Sequence, residues 1–105
     1  MIISIRENSF FARLAARKLQ ASQVAMVLGR TIHLYGCSRQ DFLSDRSWVC
    51  HELKHIQQFQ RYGRIRFVLL YLLETIRHGY YNNKFEIEAR EAAGDSSLLT
   101  GTSFT

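Results

Sequence analysis

One segment, His51-Glu52-Leu53-Lys54-His55, constrains this chain more than any other part of its sequence. It lies inside residues 45–62, which the spacing of apolar residues predicts to be a helix. Side chains four residues apart share a helix face, so His51 and His55 can present two imidazole nitrogens to one tetrahedral zinc ion. Glu52, the next residue round the helix, is placed to act as a general base on a metal-bound water. The motif therefore predicts a zinc site of the hydrolase type.

The ends of this helix are marked by capping residues. Ser44 or Asp45 can cap its N-terminus, and Gly63 is well placed to end it. Gln58 follows His55 by three residues on the same face and can form a hydrogen bond close to the metal. The positions predicted to be buried are Trp48, Val49, Leu53, Ile56 and Phe59.

A second, acidic helix supplies the candidates for a third ligand. Asn82 or Asn83 can cap a helix over residues 84–93, which carries Glu86 and Glu88. Glu86 shares its face with small alanines that permit close approach to another helix, whereas Glu88 falls on a more solvated face. Glu86 is therefore the predicted third zinc ligand, and Glu88 is the alternative. Both carboxylates can instead serve only to stabilise the positive end of their own helix.

Hydrolysis would also require a hydrogen-bond donor for the oxyanion, in addition to the metal. The donors nearest in sequence to Glu86 are Tyr80, Tyr81 and His78. These three residues are candidate oxyanion stabilisers, although a turn between two helices also needs residues of this kind for packing.

The segments before the motif predict a helix followed by a short β-hairpin. Asn8 or Ser9 can begin the helix. The residues of this helix predicted to face the core are Phe10, Phe11, Leu14, Ala15 and Leu19. Two β-prone runs, 24–28 and 31–35, flank a glycine-containing pair and indicate a hairpin. His33 falls on the polar side of the second run, so we expect it to face solvent, outside the site.

The segments after the motif complete a mainly α-helical, α+β domain. Residues 64–78 are the most apolar part of the chain, and their charges and short apolar run favour a buried core helix over a membrane span. The polar tail 95–105 is predicted to be loosely ordered. We therefore expect residues 1–105 to form one domain, with the hairpin preceding the motif helix.

Composition narrows the classes of function. The net charge of +5 comes mostly from scattered arginines, without the basic and aromatic block typical of nucleic-acid binding. Two cysteines, Cys37 and Cys50, give no disulfide framework and no C-x-x-C pair, which favours a reducing compartment.

Residues 1–5 lack the features of a signal peptide, so a cytoplasmic location is predicted, with export by a non-classical route left open. The oligomeric state is not indicated.

The stretch from Gly29 to Arg90 resembles a known group of enzymes. His51-Glu-Leu-Lys-His55, followed by Glu86-Ile-Glu-Ala, resembles the gluzincin metallopeptidases, in which a glutamate on a later helix is the third zinc ligand. More narrowly, the stretch looks like small bacterial zinc-metallopeptidase domains, whose relatives include a domain associated with extracellular contractile injection systems. The resemblance implies a minimal zincin-like helical fold, a Zn²⁺ cofactor and a peptide or protein substrate.

Two positions depart from the gluzincin pattern. Arg90 stands where gluzincins often carry an aspartate that orients a zinc histidine, and Lys84 opens the acidic helix where a proline is expected. These departures and the small size of the chain leave a second function open, a zinc-stabilised interaction module without catalysis. An open fourth zinc position indicates an enzyme, whereas a closed one indicates a structural site.

Overall fold

A four-stranded mixed sheet forms one layer of the protein in a computed structural model that describes residues 1–105. Its strands are β1 (Ile2–Arg6), β2 (Val24–Leu28), β3 (Thr31–Tyr35) and β4 (Ser103–Phe104). Their order in the sheet is β2-β3-β1-β4, so β2 is an edge strand. The predicted hairpin is confirmed as the antiparallel pair β2–β3, whereas β1 runs parallel to both of its neighbours.

Five α-helices make up most of the remaining chain. They are α1 (Phe10–Leu19), α2 (Arg39–Ser44), α3 (Arg46–Tyr62), α4 (Arg64–His78) and α5 (Lys84–Glu91). Two short 3₁₀ turns, Ala92–Gly94 and Ser96–Leu99, follow α5. The fold is therefore α+β, as predicted. None of the helices has the length and apolar character needed to cross a membrane.

Helix α3 is the central element, and its caps explain its limits. The Asp45 side chain accepts a hydrogen bond from the Trp48 N–H, and Gly63 ends the helix with a φ of 84°, a conformation favourable mainly to glycine. The main core lies between α3 and the sheet. Its largest fully buried side chains include Phe42, Phe85, Ile3, Ile32, Leu34, Ile56 and Val49. Of the residues predicted to be buried on α3, only Trp48 is half-exposed.

Helix α1 turns a different face to the sheet from the one predicted. Ala12 and Ala16 are buried against Val24, while four of the five residues predicted to face the core are exposed. The exposed residues are Phe10, Phe11, Leu14 and Leu19. The small alanines allow the helix backbone to lie close to the hairpin, and bulky side chains at those positions would hold it away.

The same packing buries His33, which the alternation of β3 had placed in solvent. Its side chain is covered by α1, and its Nδ1 lies 2.7 Å from the Ser9 hydroxyl oxygen. Alternation marks the two sides of a strand, but it does not show that a helix covers the second side.

Helix α4 has the predicted limits but not the predicted burial. Phe67 is its only buried residue, because α3 is the main element packed against it. The prediction of a helix buried over most of its circumference is therefore wrong, and much of its apolar surface is exposed.

The tail, predicted to be loosely ordered, instead completes the sheet. Strand β4 pairs with β1, and the chain continues this pairing where the Thr105 N–H donates to the Ile3 carbonyl at 2.8 Å. The Ile5 N–H in turn donates to the Thr105 carbonyl at 3.0 Å. The backbone groups on this side of β1 require partners, and a polar tail can supply them without apolar side chains.

Candidate metal centre

The structure brings the two motif histidines and Glu86 together. His51 and His55 lie one turn apart on α3, and Glu86 lies in the first turn of α5. His51 Nε2 is 3.2 Å from Glu86 Oε1, and His55 Nε2 is 3.1 Å from Glu86 Oε2. The candidate ligand atoms all lie within 4.8 Å of one another. Glu86 is buried and Glu88 is exposed, so the acidic helix has the predicted orientation.

The orientation of α5 is set by its capping residue. Asn83 is fully buried, and its side-chain oxygen accepts a hydrogen bond from the Phe85 N–H. Its amide nitrogen donates to the Tyr71 carbonyl at 3.1 Å and to the Thr75 hydroxyl at 3.0 Å. Asn83 therefore caps α5 and ties its first turn to α4. With Phe85 held in the core, the next side chain, Glu86, is directed toward α3.

The three donor groups fit a zinc ion. Zinc binds imidazole nitrogen and carboxylate oxygen at about 2.0–2.1 Å, so ligand atoms on a tetrahedral site are separated by roughly 3.3 Å. Each histidine nitrogen lies close to that separation from a different oxygen of the Glu86 carboxylate, His51 Nε2 at 3.2 Å from Oε1 and His55 Nε2 at 3.1 Å from Oε2. Two nitrogens with one oxygen are also a donor set that zinc accepts. Without metal, the same contacts form a hydrogen-bonded group centred on the Glu86 carboxylate.

Gln58 fixes the orientation of His55. Its side-chain nitrogen donates to the Phe85 carbonyl and to Glu88 Oε1, each at 3.1 Å. Because both amide hydrogens are used in this way, the amide oxygen is left to accept from His55 Nδ1, 2.8 Å away. The proton of a neutral His55 therefore sits on Nδ1, and Nε2 is free to bind a metal. Gln58 is therefore the residue that fixes the orientation of the His55 ring.

Glu52 stands beside these residues as a buried carboxylate without a hydrogen-bond donor. It is 4% exposed, and its Oε2 lies 3.9 Å from His51 Nε2. Burial raises the pKa of Glu52 to about 7, against the opposing effect of His55 and His51. A carboxylate in this state can take up or release a proton near neutral pH, which is what a general base requires.

Two of the candidate ligands, Glu86 and His55, have shifted pKa values. Burial alone would raise the pKa of Glu86, but hydrogen bonds from His51, His55 and Tyr71 outweigh it and lower the pKa well below its usual range. Burial alone would lower the pKa of His55, but the hydrogen bond with Glu86 and the negative charges of Glu52 and Glu86 raise it to about 9. A metal ion must therefore displace a proton from His55 when it binds near neutral pH.

Tyr71 is the residue of the centre that sequence reasoning missed. Its hydroxyl donates to Glu86 Oε2 at 2.6 Å, and its ring lies edge-on to His55. Burial, together with the Glu86 carboxylate, raises the pKa of Tyr71. Tyr71 comes from α4, and no motif spacing relates it to the histidines. The apolar run of α4 predicted burial for this position but gave no sign of a role for its hydroxyl.

Of the three predicted oxyanion donors, one lies at the centre. Tyr80 lines the cleft together with His51 and Glu52, and burial and the Glu86 carboxylate raise its pKa. Tyr81 is 69% exposed, and its carbonyl accepts a hydrogen bond from Arg90. His78 is exposed at the end of α4.

The two departures from the gluzincin pattern have local explanations. Arg90 lies over the Tyr81 ring, 4.0 Å from its centroid, and holds the loop before α5 rather than a metal ligand. The Lys84 N–H donates to the Glu74 carboxylate at 3.0 Å, a contact that proline could not make.

The centre opens into a cleft of about 420 Å³. Its floor includes His51, Glu52, His55 and Glu86, and its walls come from α1, β2 and α4. All five residues of the edge strand β2 line it, and most of the remaining wall is apolar. Water and a ligand therefore have access to the candidate metal ligands from this side.

Comparison of the chain with protein-family models, with curated proteins and with solved structures finds no match.

Proposed function

We propose that this protein is a zinc-dependent metallopeptidase with a minimal zincin-like fold. The observation that carries the proposal is the convergence of His51, His55 and Glu86 beside the donor-free carboxylate of Glu52, at the floor of an open cleft. Three nitrogen and oxygen ligands with an adjacent carboxylate base are the parts that a zinc hydrolase requires. The HExxH motif and the gluzincin-like position of Glu86 support the same class.

The residues divide into ligands, base and supporting donors. When bound, zinc would polarise the scissile carbonyl and lower the pKa of a coordinated water. Glu52 would serve as the general base, since its carboxylate accepts no hydrogen bond within the chain and its pKa is raised to about 7. Tyr80, which lines the same cleft, is the candidate donor to the oxyanion. Tyr71 holds the Glu86 carboxylate, and Gln58 holds His55.

A peptide substrate is favoured by the position of β2. This strand is at the edge of the sheet, and all of its residues border the cleft. An extended peptide can add to such an edge through backbone hydrogen bonds, which would place its own carbonyl groups beside the zinc ligands. The apolar walls favour peptides with apolar side chains near the bond that is cleaved.

The alternative function is a zinc-stabilised interaction module without catalysis. In such a site the protein supplies every ligand and closes the metal from solvent. The cleft over His51 and Glu52 instead leaves room for water and substrate, which favours the enzyme. Glu52 also accepts no hydrogen bond within the chain, and its contact with His51 Nε2 is as long as 3.9 Å.

Zinc content and peptide hydrolysis together test the proposal. We expect about one zinc per chain in the purified protein and loss of zinc in His51→Ala, His55→Ala and Glu86→Ala. Glu91→Ala, an exposed glutamate of the same helix, is the matched control and should keep the metal. The zinc-loaded protein should cleave members of a mixed peptide library, with cleavage stopped by a chelator.

Two outcomes would contradict this proposal in different ways. Zinc content unchanged in all three variants would show that His51, His55 and Glu86 do not form a metal centre. Zinc bound as expected, but with no cleavage of any peptide and no exchangeable water on the metal, would favour the interaction module.

A further inference from the structure

The solvent side of α4 is apolar along its length. The exposed apolar residues, named here the α4 face, are Ile65, Val68, Leu69, Leu72, Leu73 and Ile76. Ile65 and Ile76, near the two ends of the helix, are 79% and 82% exposed. Single exposed apolar residues are common on proteins, but a contiguous stripe of this kind usually marks a contact surface.

Basic residues border the α4 face on both sides. With 3.6 residues per turn, Arg66 and Arg77 fall along one border of the stripe and Arg64 along the other. All three arginines are exposed, and none forms an ion pair with a carboxylate. The only acidic residue of the helix, Glu74, points away from the stripe and binds the Lys84 N–H. The face therefore combines apolar side chains with uncompensated positive charge.

We propose that the α4 face docks on an anionic lipid surface, with the helix lying in the plane of the interface. Apolar side chains of this kind enter the boundary between headgroups and acyl chains, while arginines at the borders reach the lipid phosphates. Positive residues close to an anionic membrane each strengthen binding. The helix is suited to lie on a membrane, since it is too short and too charged to cross one.

Charge complementarity favours lipid over a second copy of the chain. Two copies joined through their α4 faces would bring Arg64, Arg66 and Arg77 of both copies together, with no carboxylate of the face to offset them. An anionic lipid surface supplies the opposite charge over the whole face. The net charge of +5 adds long-range attraction in the same direction.

Docking on lipid would also bring the cleft to the membrane. Val68 and Leu72 belong both to the α4 face and to the wall of the cleft over the metal centre. The docking itself uses no metal ligand, so it does not depend on the proposed peptidase activity. Vesicle binding should be the same with and without a chelator.

The test is sedimentation of the full chain with phosphatidylcholine vesicles that do or do not contain phosphatidylglycerol. We expect binding to the anionic vesicles, weakened by salt, and little binding to the neutral ones. Replacing Ile65, Leu69 and Ile76 together with glutamine should lower partitioning at least about tenfold. Arg66→Gln and Arg77→Gln should each lower it about fivefold. Glutamine is a good helix former, and circular dichroism should show that each variant is folded.

The matched control is Phe10→Gln with Leu14→Gln, which removes exposed apolar residues from the basic helix α1 instead. This variant should bind anionic vesicles better than the triple α4 variant, and an equal or larger loss would overturn the proposal. Absence of binding to the anionic vesicles, or equal binding to the two kinds of vesicle, would also overturn the proposal. A dimer seen by sedimentation velocity and abolished by the triple α4 variant, without vesicle binding, would assign the face to a second copy.

Discussion

The side-chain oxygen of Gln58 lies 2.8 Å from Nδ1 of His55, and this contact decides which imidazole nitrogen faces Glu86. The other end of the same amide binds the Phe85 carbonyl and Glu88 of α5. One side chain thus orients a candidate ligand on α3 and joins α3 to the helix that carries Glu86. A metal centre that includes His55 would therefore need no aspartate at position 90.

Replacing Gln58 with leucine should weaken zinc binding by about 10- to 100-fold, because His55 would lose the partner that fixes its tautomer and ring orientation. The measurement is competition for zinc against a calibrated chelator. Gln57→Leu, at an exposed neighbouring position of α3, is the control and should bind zinc normally. An unchanged affinity in Gln58→Leu would show that His55 is oriented by its packing alone.

Glu52→Gln should retain zinc while peptide hydrolysis falls by about a hundredfold or more, because the amide cannot accept a proton from water. Metal content and cleavage rate are measured on the same preparation. Since Glu52 makes no hydrogen bond within the chain, the melting temperature should not fall. Loss of zinc from this variant would mean that Glu52 is a ligand, and unchanged cleavage would point to a different base.

The metal-free protein should become less stable as the pH rises. The pKa of Glu52 is raised from 4.5 to about 7, and that of His55 from 6.5 to about 9, so the folded state holds more protons than the unfolded state across this range. Stability therefore falls with pH between about 4.5 and 9. The lowered pKa of Glu86 makes stability rise with pH instead, but only at pH values below 4.5, the ordinary pKa of the group. The measurement is thermal unfolding in the presence of a chelator.

Zinc should reverse this trend, because binding requires His55 to lose its proton. The difference in melting temperature between the zinc-loaded and metal-free forms should widen from pH 6 to pH 8. The size of this increase should correspond to the release of about one proton on zinc binding. A gap that is constant over this interval would show that no ligand titrates on binding.

Glu86→Ala should remove the effect of zinc on folding. In the wild type, a metal held by α3 and α5 would cross-link the two helices, so chelation should lower the melting temperature. Chelation should have little further effect on Glu86→Ala, which lacks the α5 ligand. Glu88→Ala should keep the metal, because Gln58 retains its contacts with His55 and the Phe85 carbonyl. The reverse pattern would assign the third ligand to Glu88.

Features that depend on nearby residues could be predicted from the amino-acid sequence. Gly63 was predicted to end α3, and Asp45 and Asn83 were each one of two predicted N-caps; the structure places helix ends at all three. The inward direction of Glu86 also followed from its helix face, because alanines share that face. Helical spacing likewise places His51 and His55 together in any fold that keeps α3 intact.

Features that depend on contacts between distant parts of the chain are seen only in the tertiary structure. Strand β4 forms because its backbone groups find partners in β1, almost a chain length away, which short-range patterns do not reveal. Tyr71 reaches Glu86 only because α4 and α5 pack beside α3. The burial of His33 and the exposure of the α4 face have the same explanation. The spacing of apolar residues shows which side of a helix or strand is suited to contact, but the tertiary structure decides whether another element packs there.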